Sequence, residues 1–447
     1  MPTEVELPIE ERIVQLLRHL GLKKAHFAAR EFREFDGLAR VLPELIASLT
    51  LAFPPRTLKV DALEPLGSRI LCFYGGRGPN AALVRKAMAS LPGATPICFE
   101  DYLDVNWSDV AADHTDAIGS AMLEFLEHLD IESNLPRANL SQRNGEVAGI
   151  SYRIIGVGPP LVLLPLVLAP SQWEPLLSRL SERYCTIVLG GPELGGVQQL
   201  EARGRTESYR RALRTFVSET GISAGDKILE VGCGSGVLTR LLVEYTRRAN
   251  SIVAVDINQY FLREARDLAG RSGVGDLIDF RSGSAVALPF ADESFDIVVS
   301  ATVMEEVDAG RMLSEMIRAA IPGGRIGVMI RAEDMQSFAN VSLRPDLRVK
   351  VESPRGNVSE GACADATIYR RFRDAGLSSL KMFPQLVPFT PNEPHGKRLI
   401  AGIEAVLSPA DADEWHAALE IRGAHELLFI ARPFHCVVGT KPGTRQQ

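Results

Sequence analysis

KILEVGCGSGVLTRLL, residues 227–242, decides how the C-terminal half of the chain folds. The run Lys227–Val231 is mainly apolar and short, which reads as a buried strand. Gly232, Gly234 and Gly236 then alternate with small residues, and a helical pattern opens at Val237. Glycine lets the main chain turn sharply and lets a ligand reach N–H groups that a Cβ would screen. The helix start adds the positive end of a peptide dipole, worth about 0.3–1 kcal/mol toward a carboxylate or phosphate.

Outward from this loop, the next apolar run, SIVAVD, ends in Asp256, twenty residues past Gly236. A carboxylate there can accept both hydroxyls of a ribose, as acids after the second strand do in dinucleotide sites. GSAVALPFADESFD (283–296) leads into IVVSATV, and Pro322-Gly323-Gly324 precedes another apolar run. Strands are expected at Lys227–Val231, Ser251–Asp256, Ile278–Arg281, Phe295–Ala301 and Arg325–Arg331. Two more are expected near Leu380–Phe389 and Leu427–Gly439. Helices are expected at Val237–Arg247, Gln259–Ser272 and Ala309–Ala320. Such alternation implies crossover connections and a doubly wound, mainly parallel sheet that closes in an antiparallel hairpin. A glycine turn alone is often mere packing; the ordered set of loop, spaced acid, LPF segment and PGG is not. The dinucleotide fingerprint G-x-G-x-x-G is absent, since Val237 follows Gly236 and the loop reads G-x-G-x-G.

The stretch from about Ser223 to Ile330 resembles a class I S-adenosylmethionine-dependent methyltransferase. The resemblance is to the broad group that includes the ubiquinone/menaquinone-type and sterol-type enzymes, whose motif reads here as E-V-G-C-G-S-G. It implies a Rossmann-like fold and S-adenosyl-L-methionine as cofactor. Gly232, Gly234 and Gly236 would line its methionyl and ribose parts. Asp256 would hold the ribose, and Ile257 would pack on the adenine. Glu230 and Ser300 are placed in the same cofactor-binding set. The family usually carries an acid before the LPF segment; Ser284 and Ala285 stand there in this chain, so a hydroxyl replaces a charge.

A methyl group on a sulfonium is already electrophilic, so positioning carries much of the work, up to about 7–11 kcal/mol in ideal cases. A base is needed only where the acceptor must lose a proton. Glu305 and Glu306 follow the fourth strand, where parallel sheets open their ligand crevice, and are the candidate catalytic residues. The plainer reading has them open a helix. Arg331 could meet an anionic substrate or pair with Glu333 and Asp334, and Tyr209 could cover the cofactor or only pack. Ser300-Ala301-Thr302-Val303 contains no N/D-P-P-Y/F stretch, which leans away from amines of nucleic-acid bases. The expected reaction is methyl transfer to oxygen or carbon of a small, fairly apolar metabolite. The rivals are a non-catalytic cofactor-binding sensor or scaffold and, through the N-terminal half, a hydrolase.

In that half, Val14–Phe53 and Arg69–Leu126 resemble the later part of an α/β-hydrolase, while Ile150–Arg183 resembles its beginning. The reversed order suggests a circular permutation, with the polar segment Glu132–Glu146 as the joint. The strained turn G-x-S-x-G that displays a hydrolase nucleophile has no counterpart at Ala28–Phe32. The acid's place falls near Gly78, and no histidine stands in Tyr102–Trp107. The domain is therefore expected to be non-catalytic. The expected division is 1–204, hydrolase-like, and 205–447, methyltransferase.

With 46% hydrophobic and 23% charged residues and a net charge of −7, the chain reads as a globular protein. Scattered Lys and Arg leave no basic stripe for nucleic acid. The run Pro159–Pro170 is too short to span a bilayer. Six cysteines without a CxxC pair, and His395, His416, His425 and His435 without ligand spacing, suggest neither a metal nor disulfides. A cytoplasmic location is expected on these grounds, and the N-terminal domain could shape or cover the acceptor pocket or mediate a homodimer.

Overall fold

The computed structural model describes residues 7–30, 43–54, 60–77, 81–103, 108–133, 135–166, 170–190, 194–354, 361–404, 406–423 and 428–443. The chain forms two compact units, Met1–Gln198 and Gln199–Gln447.

The first unit is built on eight strands: β1 (Ala25–Ala29), β2 (Ile46–Ala52), β3 (Ile70–Arg77), β4 (Thr95–Leu103), β5 (Asn144–Val147), β6 (Ile150–Ile155), β7 (Pro160–Leu163) and β8 (Cys185–Gly190). Their order is β4-β3-β2-β1-β7-β8-β6-β5. AHFAA and IASLTLA are buried at every position, as strands covered on both faces must be. The four strands earliest in the chain lie together and meet the later four at the parallel β1–β7 pair. Only β6 runs against its neighbours, β5 and β8. Within the polar segment Glu132–Glu146, Ala138 bridges to Gly158 and the last residues enter β5. A histidine inside β1 needs partners. His26 has them in Ser48 Oγ at 2.7 Å and Asp130 Oδ1 at 3.0 Å, and Tyr184 donates to the other Asp130 oxygen.

The second unit carries β9 (Ile228–Val231), β10 (Ile252–Asp256), β11 (Ile278–Ser282), β12 (Phe295–Ala301), β13 (Ala320–Arg331), β14 (Phe338–Ala339), β15 (Ser378–Met382), β16 (Gln385–Phe389) and β17 (Ile430–Thr440). The order is β11-β10-β9-β12-β13-β17-β14, with β15 and β16 also on β17. β9 to β13 are parallel, and β17 returns antiparallel along β13. Helices Val237–Tyr245, Gln259–Arg271 and Ala309–Ala319 make the crossovers. Asn258 caps the second through Tyr260 N and Phe261 N.

The structure departs from the sequence reading in two places. The strand near Leu380–Phe389 is two strands, and the other begins at Ile430; Leu427 lies outside the described residues. The sequence reading passed over helices at Pro345–Glu352, Pro394–Glu404 and Pro409–Gly423. Each opens on a proline, whose fixed φ suits a first helical position. They build a separate small core around Trp415. The two units meet at residues 198 and 199, within the helix Gly196–Arg205. Side chains of the helix Gly196–Arg205 bind the glycine loop, as described next.

Candidate functional site

The loop after β9 takes left-handed φ values of 75° at Gly232, 52° at Gly234 and 79° at Gly236. At Gly232 a Cβ would also stand 2.4 Å from Val303 Cγ2, so no side chain fits. Gly232 N and Cys233 N donate to Val255 O, at 2.8 and 3.0 Å, and Gly234 N donates to Asp256 Oδ2 at 2.8 Å. The turn is thus less bare than the sequence suggests, because β10 already accepts from three of its amides. The first turn of the Val237–Tyr245 helix has no side-chain cap at Gly236. Its N–H groups are left to a ligand or water.

Asp256 is fixed at the loop by that bond and by Asn258 N, which donates to Oδ1 at 2.9 Å. Each carboxylate oxygen keeps a second lone pair, so hydroxyls can still be accepted. Burial raises the Asp256 pKa despite these amides. The neighbouring Glu230 is pushed up to about 8, first by burial and also by the Asp256 charge, while Thr239 and Arg240 oppose the shift. Its Oε2 accepts from the Thr239 hydroxyl. Carboxylates so poorly compensated favour a cation nearby.

Ile257, beside Asp256, is 57% exposed, so its side chain is accessible to a ligand. Ser284 and Ala285 follow β11 on the same side, since Gly283 N donates to Asp256 O at 3.0 Å. Among the described residues the Ser284 hydroxyl accepts a single long bond, from Val286 N at 3.4 Å. Ser300, expected in the cofactor-binding set, lies inside β12. It is fully buried, and its hydroxyl donates to Val231 O at 2.7 Å, because β12 is covered on both faces. It fixes the base of the loop.

Past β12, Thr302 holds a left-handed φ of 58° and the chain turns instead of starting a helix. Glu305 is fully buried there. Its Oε1 accepts from Arg331 N at 3.1 Å and Arg331 Nε at 3.0 Å, and Glu306 Oε1 accepts from Arg331 Nη2 at 2.9 Å. The partners of Arg331 are therefore Glu305 and Glu306. Glu333 and Asp334, the expected ones, face Arg432 and His435. Burial raises the Glu305 pKa and Arg331 opposes it.

Sequence reading missed the helix Gly196–Arg205. Glu201 accepts two bonds from Arg240 Nη2 at 2.8 and 2.7 Å, and one from Ser235 Oγ at 2.7 Å, so it ties the helix to the loop. Arg203 lies over the Tyr209 ring, 4.8 Å from its centroid, and its Nη2 donates to Thr302 Oγ1 at 3.4 Å. The run EARGR was a charge-rich signal, set aside as a boundary. Tyr209 itself is buried. His395 is partly buried against the Phe389 ring, and buried His435 joins the Tyr369 hydroxyl to Asp334, 2.8 Å on each side. His416 pairs with Glu404, and His425 lies outside the described residues. Among the described residues no group of three or more His, Cys, Asp or Glu could hold a metal ion, and no helix is long and apolar enough to cross a membrane.

Residues 229–328 match the family model described as a methyltransferase domain. The chain is 36% identical over 130 residues to the demethylmenaquinone methyltransferase of Symbiobacterium thermophilum, which covers 29% of this chain and 51% of that protein. It is 33% identical over 150 residues to the ubiquinone/menaquinone biosynthesis C-methyltransferase UbiE of Hahella chejuensis, covering 31% of this chain and 60% of that one. It is 35% identical over 128 residues to the sterol 24-C-methyltransferase ERG6B of Gibberella zeae, covering 27% and 33%. The chain thus spans from a third to three fifths of the length of these curated relatives. Its C-terminal half carries a class I S-adenosylmethionine-dependent methyltransferase domain.

Proposed function

We propose that the whole protein is an enzyme that methylates oxygen or carbon of a small, mainly apolar acceptor. One observation carries the reading: the Asp256 carboxylate sits 2.8 Å from Gly234 N, with exposed Ile257 next to it. That pairs a hydroxyl acceptor with an apolar ledge beside an uncapped helix start. Ribose, adenine and the methionyl carboxylate of S-adenosylmethionine fit these three in turn. Gly232, Gly234, Gly236, Asp256, Ile257, Ser284 and Ala285 would hold the cofactor, which supplies a methyl group on a sulfonium. Glu230, buried behind the loop, would act through charge and Thr239 rather than by contact. The matched relatives named for quinone and sterol substrates support the small apolar acceptor.

The chain's own contribution is positioning and proton handling. Glu305 is the group to receive a proton where the acceptor must lose one. Its raised pKa suits that task, and its Oε2 has no hydrogen-bond partner among the described residues. Arg331 holds its other oxygen in place. Glu306 steadies Arg331 from the second side.

Calorimetric titration with S-adenosylhomocysteine tests the reading. Wild type is expected to bind in the micromolar range, and Asp256→Ala is expected to lose about 1.5–3 kcal/mol, the worth of hydrogen bonds to a charged group. Equal affinity of the two proteins would remove Asp256 from the site, and no binding by either would remove the function.

A further inference from the structure

The helix Gly196–Arg205 lies ahead of β9 in the chain and packs on the glycine loop that follows β9. Leu200 Cδ1 stands 3.4 Å from the place a Cβ would take on Gly234. A Cβ on Gly204 would stand 2.7 Å from Val237 Cγ1, so a glycine there lets the helix come this close. Glu201 follows Leu200, is only 6% exposed, and its carboxylate joins two side chains of the loop and the helix after it.

Glu201 Oε1 accepts from Ser235 Oγ at 2.7 Å and from Arg240 Nη2 at 2.8 Å, and Oε2 accepts from the same Nη2 at 2.7 Å. Arg240 Nη1 donates in turn to Ser235 O at 2.8 Å. The three residues close a ring, and Ser235 is held by both its hydroxyl and its carbonyl. It stands between two left-handed glycines, Gly234 and Gly236, where the backbone has the most freedom to lose. A buried ring in which each member is satisfied fixes all of its members.

The ring also settles a charge. Arg240 Nη1 lies 3.3 Å from the place of a Cβ on Gly236, so a guanidinium stands against the turn. Its charge opposes the raised pKa of Glu230, and is therefore felt at the carboxylate behind the loop. Among the described residues Glu201 is the carboxylate in ion-pair reach of Arg240. Removing one partner of a buried pair leaves the other charge uncompensated in a medium that screens it poorly. S-adenosylmethionine carries one more positive charge than S-adenosylhomocysteine, since its sulfonium becomes a thioether on transfer. A charge uncovered at the loop therefore acts against the donor and spares the product.

We propose that Glu201 is a positioning residue of the cofactor site: it holds Ser235 and Arg240 in place and cancels the arginine's charge, so that the cationic donor meets no uncompensated positive charge at the loop. The proposal rests on the methyltransferase reading of this unit.

The test uses the full chain and two ligands titrated by calorimetry. One is S-adenosylhomocysteine. The other is sinefungin, in which a carbon bearing an ammonium replaces the methylated sulfur and keeps the donor's net charge. Glu201→Gln keeps the shape and uncovers Arg240. It should weaken sinefungin at least about threefold relative to S-adenosylhomocysteine, and added salt should shrink the difference. Arg240→Gln leaves Glu201 bare and should move the ratio the opposite way. Both substitutions together restore the net charge and should return the ratio to within about twofold of wild type. A ratio unchanged in the single variants overturns the proposal. So does a ratio that falls as far in the double variant as in Glu201→Gln, which would leave Glu201 a packing role alone. Because the single variants are expected to move in opposite directions, either one tests the proposal if the other fails to fold. Failure of S-adenosylhomocysteine to bind wild type would instead overturn the underlying function.

Discussion

The end of β9 and the end of β2 are both strand ends in mainly parallel sheets, and both are followed by a residue in the left-handed region. At Gly232 that residue is a glycine, and the helix after the loop starts without a side-chain cap. At Phe53 it is a fully buried phenylalanine, φ 57°. A bulky residue there stores about 1–3 kcal/mol of strain, which its surroundings must offset. They do so by aromatic packing. Phe53 stacks on Phe99 at 5.6 Å and stands across Tyr102 at 5.3 Å, and His114 stacks on Phe99 at 4.2 Å. Beside them, Arg30 follows β1 as a buried side chain, with Nε donating to Phe53 O at 3.0 Å. One unit keeps converging polar groups at its strand ends, and the other fills the corresponding place with rings. The same architecture therefore carries either converging polar groups or packed rings according to which side chains end its strands.

The largest way to break this contrast is through Glu305. Glu305→Gln keeps the shape and removes the basic oxygen. It should lower transfer of labelled methyl groups into a small-molecule extract by about 10²–10⁴-fold. Affinity for S-adenosylhomocysteine should stay within a few-fold, so a loss confined to that affinity would count against a proton-accepting role. On the other unit, Phe53→Ala should destabilise the protein by about 3–5 kcal/mol in denaturant unfolding. Cofactor affinity should not change, and a loss below about 1 kcal/mol would show that the ring cluster is not what fills that site.

A smaller effect sharpens the electrostatic side. Glu230 has a folded pKa of about 8 against its ordinary 4.5. Between those values the folded state binds the extra proton, so its stability falls as pH rises through that window. Glu230→Gln removes the titrating group. Wild type should lose stability relative to the variant between about pH 5 and pH 8, and parallel pH profiles would contradict the buried charge.

Much of the second unit was legible because its signals are local. Apolar runs gave β9 to β13, the glycines gave the loop, and spacing gave Asp256. The bond from Ser300 to Val231 O was not legible, because a strand buried on both faces does not reveal which side a hydroxyl takes. Glu201, Arg203 and the Arg331 fork were illegible, since they join residues far apart in sequence. In the first unit, strand-like runs were visible, while the site was harder to judge. The absence of histidine in Tyr102–Trp107 was read as an empty position. The fold brings His114, beyond that window, to 4.5 Å from Tyr102. The nucleophile's expected turn is described only as far as Arg30, and the acid's place near Gly78 and residues 104–107 lie outside the described residues.

Amide hydrogen exchange with and without S-adenosylhomocysteine tests the central claim most directly. Binding should slow exchange in residues 235–239 and 257–260, around the uncapped helix start and Asp256, and leave β1 to β8 unchanged. Protection that appears in β1 to β8, or none at the turn after β9, would contradict it.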